Sequence, residues 1–210
     1  MKYSILKWGT YLLFQSVVRI FSTPKIVTGT ENLQDDRIAG PLIIAANHDG
    51  RIDPVWIFVM MYRHSKSKPI IRFLSWHTFY DMPVLGWYIQ GMQSFRVESG
   101  KGLEILDPVV DYLKNNGVVA IFPEGKIRKI TAKDKSAKRG VGYLAVQTQA
   151  SVLPIYIKYH KKKWFPGYWF EIHFGKVWSP VKEGMTINDV QGVADEVLDT
   201  IYTLKPAETK

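Results

Sequence analysis

Of the chain's 210 residues 46% are hydrophobic and 22% charged, close to globular averages, which excludes wholesale disorder. The length suits one domain with a sizeable core, and the lack of cysteine excludes disulfides, iron–sulfur clusters, thiolate metal sites and a Cys nucleophile. Lys+Arg 28 against Asp+Glu 19 leave a formal net charge of +9, which asks for nucleic acid, an anionic membrane surface or phosphorylated substrates as partner.

Residues Tyr3 to Phe21 are apolar but interrupted by Lys7, Gln15 and Arg19, too broken for a membrane span and without a signal-peptide cleavage pattern. Helical spacing accounts for them better. Tyr3, Leu6, Thr10, Leu13, Val17 and Ile20 recur at steps of three and four, and Phe14 and Phe21 widen the stripe. The spacing predicts an amphipathic helix over residues 1–22. It either lies in a bilayer interface, with Leu6, Leu13, Phe14, Val17 and Phe21 touching lipid, or packs on the protein's own core.

Residues 23–210 read as one α/β domain, with no low-complexity tract, linker or repeat. Strands are expected at Lys25–Thr28, Leu42–Ala46, Ile70–Leu74, Gln93–Arg96, Val118–Phe122, Val152–Lys158 and Trp169–Phe174. Helices are expected at Pro54–Arg63, Pro83–Gln90, Gly102–Asn115, Gly140–Thr148 and Ile187–Leu204. The unbroken apolar runs Leu42–Ala46 and Val118–Phe122 are the mark of strands buried on both faces. Such strands belong to a mostly parallel sheet covered by helices.

Open α/β sheets bind ligands beyond the carboxyl ends of their strands, so the residues after those two runs matter most. Leu42–Ala46 leads into Asn47-His48-Asp49-Gly50-Arg51-Ile52-Asp53, and Val118–Phe122 into Pro123-Glu124-Gly125-Lys126. A carboxylate at Asp53 that takes the proton of one imidazole nitrogen of His48 leaves the other basic and stabilises the imidazolium. That pairing suits activation of a hydroxyl. Asp53 before Pro54 is equally a helix N-cap, and Gly50 is available for an unusual backbone conformation. A metal held by His48, Asp49 and Asp53 would need a further ligand, for which Glu124 is the one candidate. The other histidines, His64, His77, His160 and His173, form no pair at ligand spacing.

Asn47-His48-(four residues)-Asp53 followed downstream by Phe122-Pro123-Glu124-Gly125 resembles the lysophosphatidate acyltransferase family of glycerolipid acyltransferases. Gly29-Thr30-Glu31-Asn32-Leu33 is similar to the stretch ahead of that family's first motif, and Gly91-Met92-Gln93-Ser94-Phe95-Arg96 to its second. Lys138-Arg139-Gly140 and Ala150-Ser151-Val152-Leu153-Pro154-Ile155 resemble its fourth block, so the likeness runs from Lys25 to Trp178. The resemblance implies acyl transfer from acyl-CoA or acyl-carrier protein to a lysophospholipid hydroxyl, lysophosphatidate foremost, without a cofactor. His48 would be the general base and Asp53 its orienting partner. Direct attack by the acceptor needs no acyl-enzyme, which agrees with the missing cysteine.

In this reading Arg96 contacts the acceptor phosphate, and Arg suits such bidentate contacts, although an edge-strand ion pair is its ordinary role. Glu124 meets acceptor hydroxyls or holds its loop, and backbone N–H groups around Glu124-Gly125 meet the oxyanion. Lys126-Ile127-Arg128 departs from the Thr-Arg that many members carry after the Gly; Lys126 and Arg128 would serve phosphate in their place. The basic run Lys126 to Arg139 and the cluster Lys161 to Phe170 suit lipid headgroups, CoA phosphates or a solvated face. These features imply peripheral or monotopic association with the cytoplasmic face of a membrane. A basic nucleic-acid binder, an idle lipid-binding relative and a hydrolase or transacylase are the competing classes, but no recognised nucleic-acid module is present.

Overall fold

The computed structural model describes residues 22–83, 85–98, 100–127, 136–161 and 168–207. The expected N-terminal helix, with Leu6, Leu13, Phe14, Val17 and Phe21, lies outside them, as does Arg128.

The strands are β1 (Ser22–Thr28), β2 (Leu42–Ala46), β3 (Ile71–Trp76), β4 (Phe95–Val97), β5 (Val118–Ile121), β6 (Ser151–Lys161) and β7 (Tyr168–Phe174). They form one sheet in the order β1-β7-β6-β2-β5-β3-β4. Every pairing is parallel except β6 with β7. The helices are α1 (Asp53–His64), α2 (His77–Tyr80), α3 (Leu85–Gly91), α4 (Asp107–Lys114), α5 (Gly140–Thr148) and α6 (Val190–Thr203). The fold is thus the expected α/β class, with a mixed, mostly parallel sheet between helices.

Strand periodicity divides the core in two. Leu42, Ile44 and Ala46 of β2 face one layer, with Val118 and Ala120 of β5 and Trp56, Ile57 and Met61 of α1. Ile43 and Ala45 face the other, with Val109 and Leu113 of α4, Val141 and Leu144 of α5 and Val197 and Ile201 of α6. All five β2 residues are buried, as the unbroken apolar run implied. After β2 the chain turns to α1 on one face; after the adjacent β5 it proceeds to α5 on the other. The carboxyl ends of strands whose connections diverge in this way are where open α/β sheets hold ligands.

Several boundaries moved for identifiable reasons. The helix expected from Gly102 begins at Asp107, because Gly102 sits at φ 74 and a 3₁₀ turn, Glu104–Leu106, intervenes. The strand expected from Gln93 starts at Phe95, since Gln93 adopts a left-handed φ of 54. The helix expected from Ile187 opens as a 3₁₀ turn, held by a reciprocal cap between Thr186 and Asp189. The four-residue α2 is too short to show a period, and the sequence reading missed it.

Candidate active site

Asn47–Ile52 form the loop between β2 and α1, and side chains tie that loop to β6. Asn47 Nδ2 donates to Ile157 O at 2.7 Å, and Asn47 Oδ1 accepts from Ile157 N at 2.6 Å. The amide thus acts as one more ladder rung past the last backbone pair, Ala46 with Ile155. Two residues on, Tyr159 N donates to Asp49 Oδ2 at 2.7 Å. Gly50 then lies against the Tyr159 ring, where a Cβ would stand 2.8 Å from Cε2. Close approach is therefore what requires glycine here. Gly50 has no positive φ, so the expected unusual backbone conformation is not its role.

The loop brings His48 and Asp53 together. His48 Nδ1 lies 2.8 Å from Asp53 Oδ2, which also accepts from the backbone N–H of Asp49 and of Gly50, each at 2.9 Å. Asp53 is 0% exposed, whereas the His48 side chain is 18% exposed. An ionised carboxylate only accepts, so Nδ1 carries the hydrogen and Nε2 of the neutral ring is bare. Stacking on Phe122, with centroids 4.1 Å apart and planes 15° apart, fixes the ring. The assembly can take up a proton at Nε2 and hold the resulting cation against Asp53.

Asp53 is not the N-cap the sequence led us to expect. Ile52 holds that position and Asp53 is the first helical residue. Its carboxylate points back to the preceding loop and satisfies donors there instead of in its own helix.

The neighbouring loop follows β5. Gly125 adopts φ 70, a left-handed turn that favours glycine, and its N–H donates to Phe122 O at 2.9 Å. That hydrogen bond closes the turn and engages the Gly125 N–H within it. Lys138 N donates to Pro123 O at 2.7 Å, and its side chain runs alongside Gly125. Glu124 is buried, and Tyr202 of α6 donates its hydroxyl to Oε1 at 2.6 Å. Oε2 is buried without an ordinary hydrogen bond. Burial pushes the Glu124 carboxyl above its usual range, while the Tyr202 hydroxyl and the His48 backbone N–H pull it back. Burial, and then Glu124, push the Tyr202 phenol up as well.

The two loops thus bring His48, Asp53, Glu124 and Gly125 together, with Lys126 exposed beside them. Arg96 sits elsewhere, on edge strand β4. It is paired with Asp81 (Nη2 to Oδ2, 2.9 Å) and with Glu98 (Nη1 to Oε2, 3.4 Å), the ordinary role weighed for it above. An apolar cavity of about 130 Å³ opens between Pro54, Val55 and Phe58 of α1, Phe73 to Ser75 of β3, and Ile89, Met92 and Ser94.

Sequence reasoning missed Tyr159 and Tyr202, and read Lys138 only as part of a motif and a basic run, not as a partner of the Pro123–Gly125 turn. The two tyrosines reach the loops from 110 and 78 positions away, so no local pattern marks them. It also missed a pairing among the scattered histidines. Across the β6–β7 hairpin, His160 Nε2 lies 2.5 Å from Glu171 Oε1 and His173 Nε2 lies 3.3 Å from Oε2. Among the described residues, no three His, Asp or Glu side chains are arranged to hold a metal ion, and no helix is long and apolar enough to cross a membrane.

Comparison with known proteins bears on this geometry. No curated protein matches the chain. In solved structures it is similar to the 1-acyl-sn-glycerophosphate (LPA) acyltransferase, PlsC, from Thermotoga maritima, with a TM-score of 0.61 and 18% identity. That likeness covers 99% of this chain and 81% of the other and is one of fold. The acyltransferase family model matches residues 25–158, more than half of the chain and inclusive of both site loops. The chain therefore belongs to the acyltransferase family and is an O-acyltransferase.

Proposed function

We propose that this enzyme moves a fatty acyl group from acyl-CoA or acyl-carrier protein to the free hydroxyl of a lysophospholipid, lysophosphatidate foremost, giving phosphatidate. The observation that carries this reading is the 2.8 Å contact between His48 Nδ1 and the buried Asp53 carboxylate, in the loop that follows the carboxyl end of β2. His48 Nε2 takes the proton of the acceptor hydroxyl as its oxygen attacks the thioester carbonyl. The carbonyl oxygen becomes an oxyanion; as it collapses, the C–S bond breaks, the new C–O ester bond remains, and the leaving thiolate regains the proton from His48. Asp53 stays ionised and steadies the imidazolium throughout. The thiol and ester products balance the reaction with no cofactor.

The cavity beside Pro54 supports an apolar substrate, being lined mainly by aliphatic and aromatic side chains. Its volume approaches the roughly 150 Å³ of an engineered apolar cavity that admits benzene, so it accepts a short run of acyl carbons. The likeness to the LPA acyltransferase of Thermotoga maritima also favours lysophosphatidate as acceptor. Arg96 would bind the acceptor phosphate by exchanging its carboxylate partners for it; ion pairs exposed to water are weak and permit that exchange. Glu124 and Gly125 would meet the acceptor, and Lys126 and Arg128 would attract its anionic headgroup. The stripe of Leu6, Leu13, Phe14, Val17 and Phe21 would hold the enzyme peripherally on an anionic membrane surface.

The test uses the purified full chain with a labelled acyl-CoA and a panel of lysolipids, with products identified by mass. Transfer to lysophosphatidate, abolished in His48→Ala while the fold persists, is the expected result. Full turnover in that variant would falsify the base assignment. Arg96→Ala should raise the acceptor KM, and an unchanged value rejects its phosphate role.

A further inference from the structure

Two buried polar atoms beside the His48–Asp53 pair lack an ordinary hydrogen bond: Asp53 Oδ1 and Tyr159 Oη. The first only accepts and the second can donate. Burial holds the Tyr159 phenol well above the usual tyrosine range, and the charge of Asp53 and the approach of its carboxylate to the hydroxyl add to that shift. Folded proteins seldom leave a buried donor and a buried acceptor unmatched side by side.

Tyr159 is joined to the same loop twice more. Its backbone N–H donates to Asp49 Oδ2 at 2.7 Å, and its ring fills the space that the missing Gly50 side chain leaves. Phe170 (centroids 5.8 Å apart) and Tyr168 (6.4 Å) hold that ring from the β7 side. The phenol is thus a rigid platform under the loop that carries both His48 and Asp53.

We infer that Tyr159 is a positioning residue for the acyl transfer: a small turn of its hydroxyl lets it donate to Asp53 Oδ1, fixing the carboxylate plane and tempering the charge presented to His48. This inference rests on the reading of His48 as general base. Hydrogen bonds of a catalytic assembly are commonly long without substrate and tighten when it binds. With Oδ2 engaged by His48 and two backbone donors, Oδ1 is the one oxygen left to stop the carboxylate rotating. The phenol touches no reacting atom and acts through Asp53 alone.

Tyr159→Phe keeps the ring and removes the donor. In the full-length variant we expect kcat to fall about tenfold, with the acceptor KM within about twofold of wild type. The decisive readout is the titration of His48, followed by NMR in the substrate-free protein. It should move upward by about half a pH unit or more, because a carboxylate relieved of a donor stabilises the imidazolium more strongly. The acid limb of the kcat/KM profile should move with it. An unmoved titration overturns the inference even if kcat and the melting temperature both fall, since packing loss alone produces those changes. Turnover retained in His48→Ala overturns the base reading itself. A moved titration beside such a variant would still report the Tyr159–Asp53 contact, so the two failures are distinguishable.

Discussion

Replacing Asp53 with Asn changes one charge and almost no volume, and the structure sets how large the effect should be. Asp53 Oδ2 accepts three hydrogen bonds, from His48 Nδ1 and from the N–H groups of Asp49 and Gly50. An amide can keep all three only with its oxygen in the Oδ2 place, which turns its NH₂ toward Tyr159. Charge-assisted bonds are roughly twice as strong as neutral ones, so three of them weaken together. Relief of the cost of burying a carboxylate offsets part of that loss. The net destabilisation should be about 1–2 kcal/mol, a drop of roughly 2–8 °C in Tm for a chain of this size. Turnover should suffer far more. The carboxylate bonded to the imidazolium is then gone, and either amide orientation weakens control of the tautomer. A loss of about 10²–10⁴ in kcat follows, or about 3–5 kcal/mol of barrier. Measuring kcat well below the lowered Tm, beside a thermal melt, separates the two effects. A variant that is folded and turns over near the wild-type rate, or loses activity only in proportion to its unfolded fraction, refutes the account.

Asn47→Ala should be costly to the fold, because it leaves the N–H and C=O of Ile157 buried without the amide that satisfies both. At about 1–3 kcal/mol per unmatched group, a loss of roughly 2–5 kcal/mol is expected by urea unfolding, and a loss below 1 kcal/mol would show that water replaces the amide easily. Gly50→Ala drives a methyl into the Tyr159 ring, so kcat should fall several-fold while Asn47 keeps the loop attached; unchanged kinetics would mean the ring simply yields. Glu124→Gln tests the buried carboxyl through pH. Its folded pKa is raised, so the group's contribution is favourable below the unfolded pKa and is lost as pH rises through the folded value. Gln still accepts from Tyr202 without burying a charge. The variant should therefore melt at or above wild type near about pH 8, with the gap closing toward about pH 4. A gap that widens in acid contradicts the assigned direction.

Much of this protein was legible residue by residue. The unbroken apolar run of β2, the one that leads into the site, placed that strand to the residue, because a strand buried on both faces can carry no polar side chain. His48 and Asp53 were legible for a related reason: they are five residues apart on one turn, and a loop that short can bring them together without help from elsewhere. What the loop rests on was not legible. Asn47 binds Ile157, Tyr159 supports Asp49 and Gly50, and Tyr202 binds Glu124, all through contacts between segments that only the packed sheet and α6 bring side by side. The roles of glycine and of Asp53 went the same way. Gly50 reads as a backbone requirement until the ring of Tyr159 occupies its side-chain space, and Asp53 reads as a cap until its carboxylate is seen turned toward the loop before it. Local spacing decides which groups can react together. The partners that hold them still come from distant stretches of chain, where periodicity carries no information.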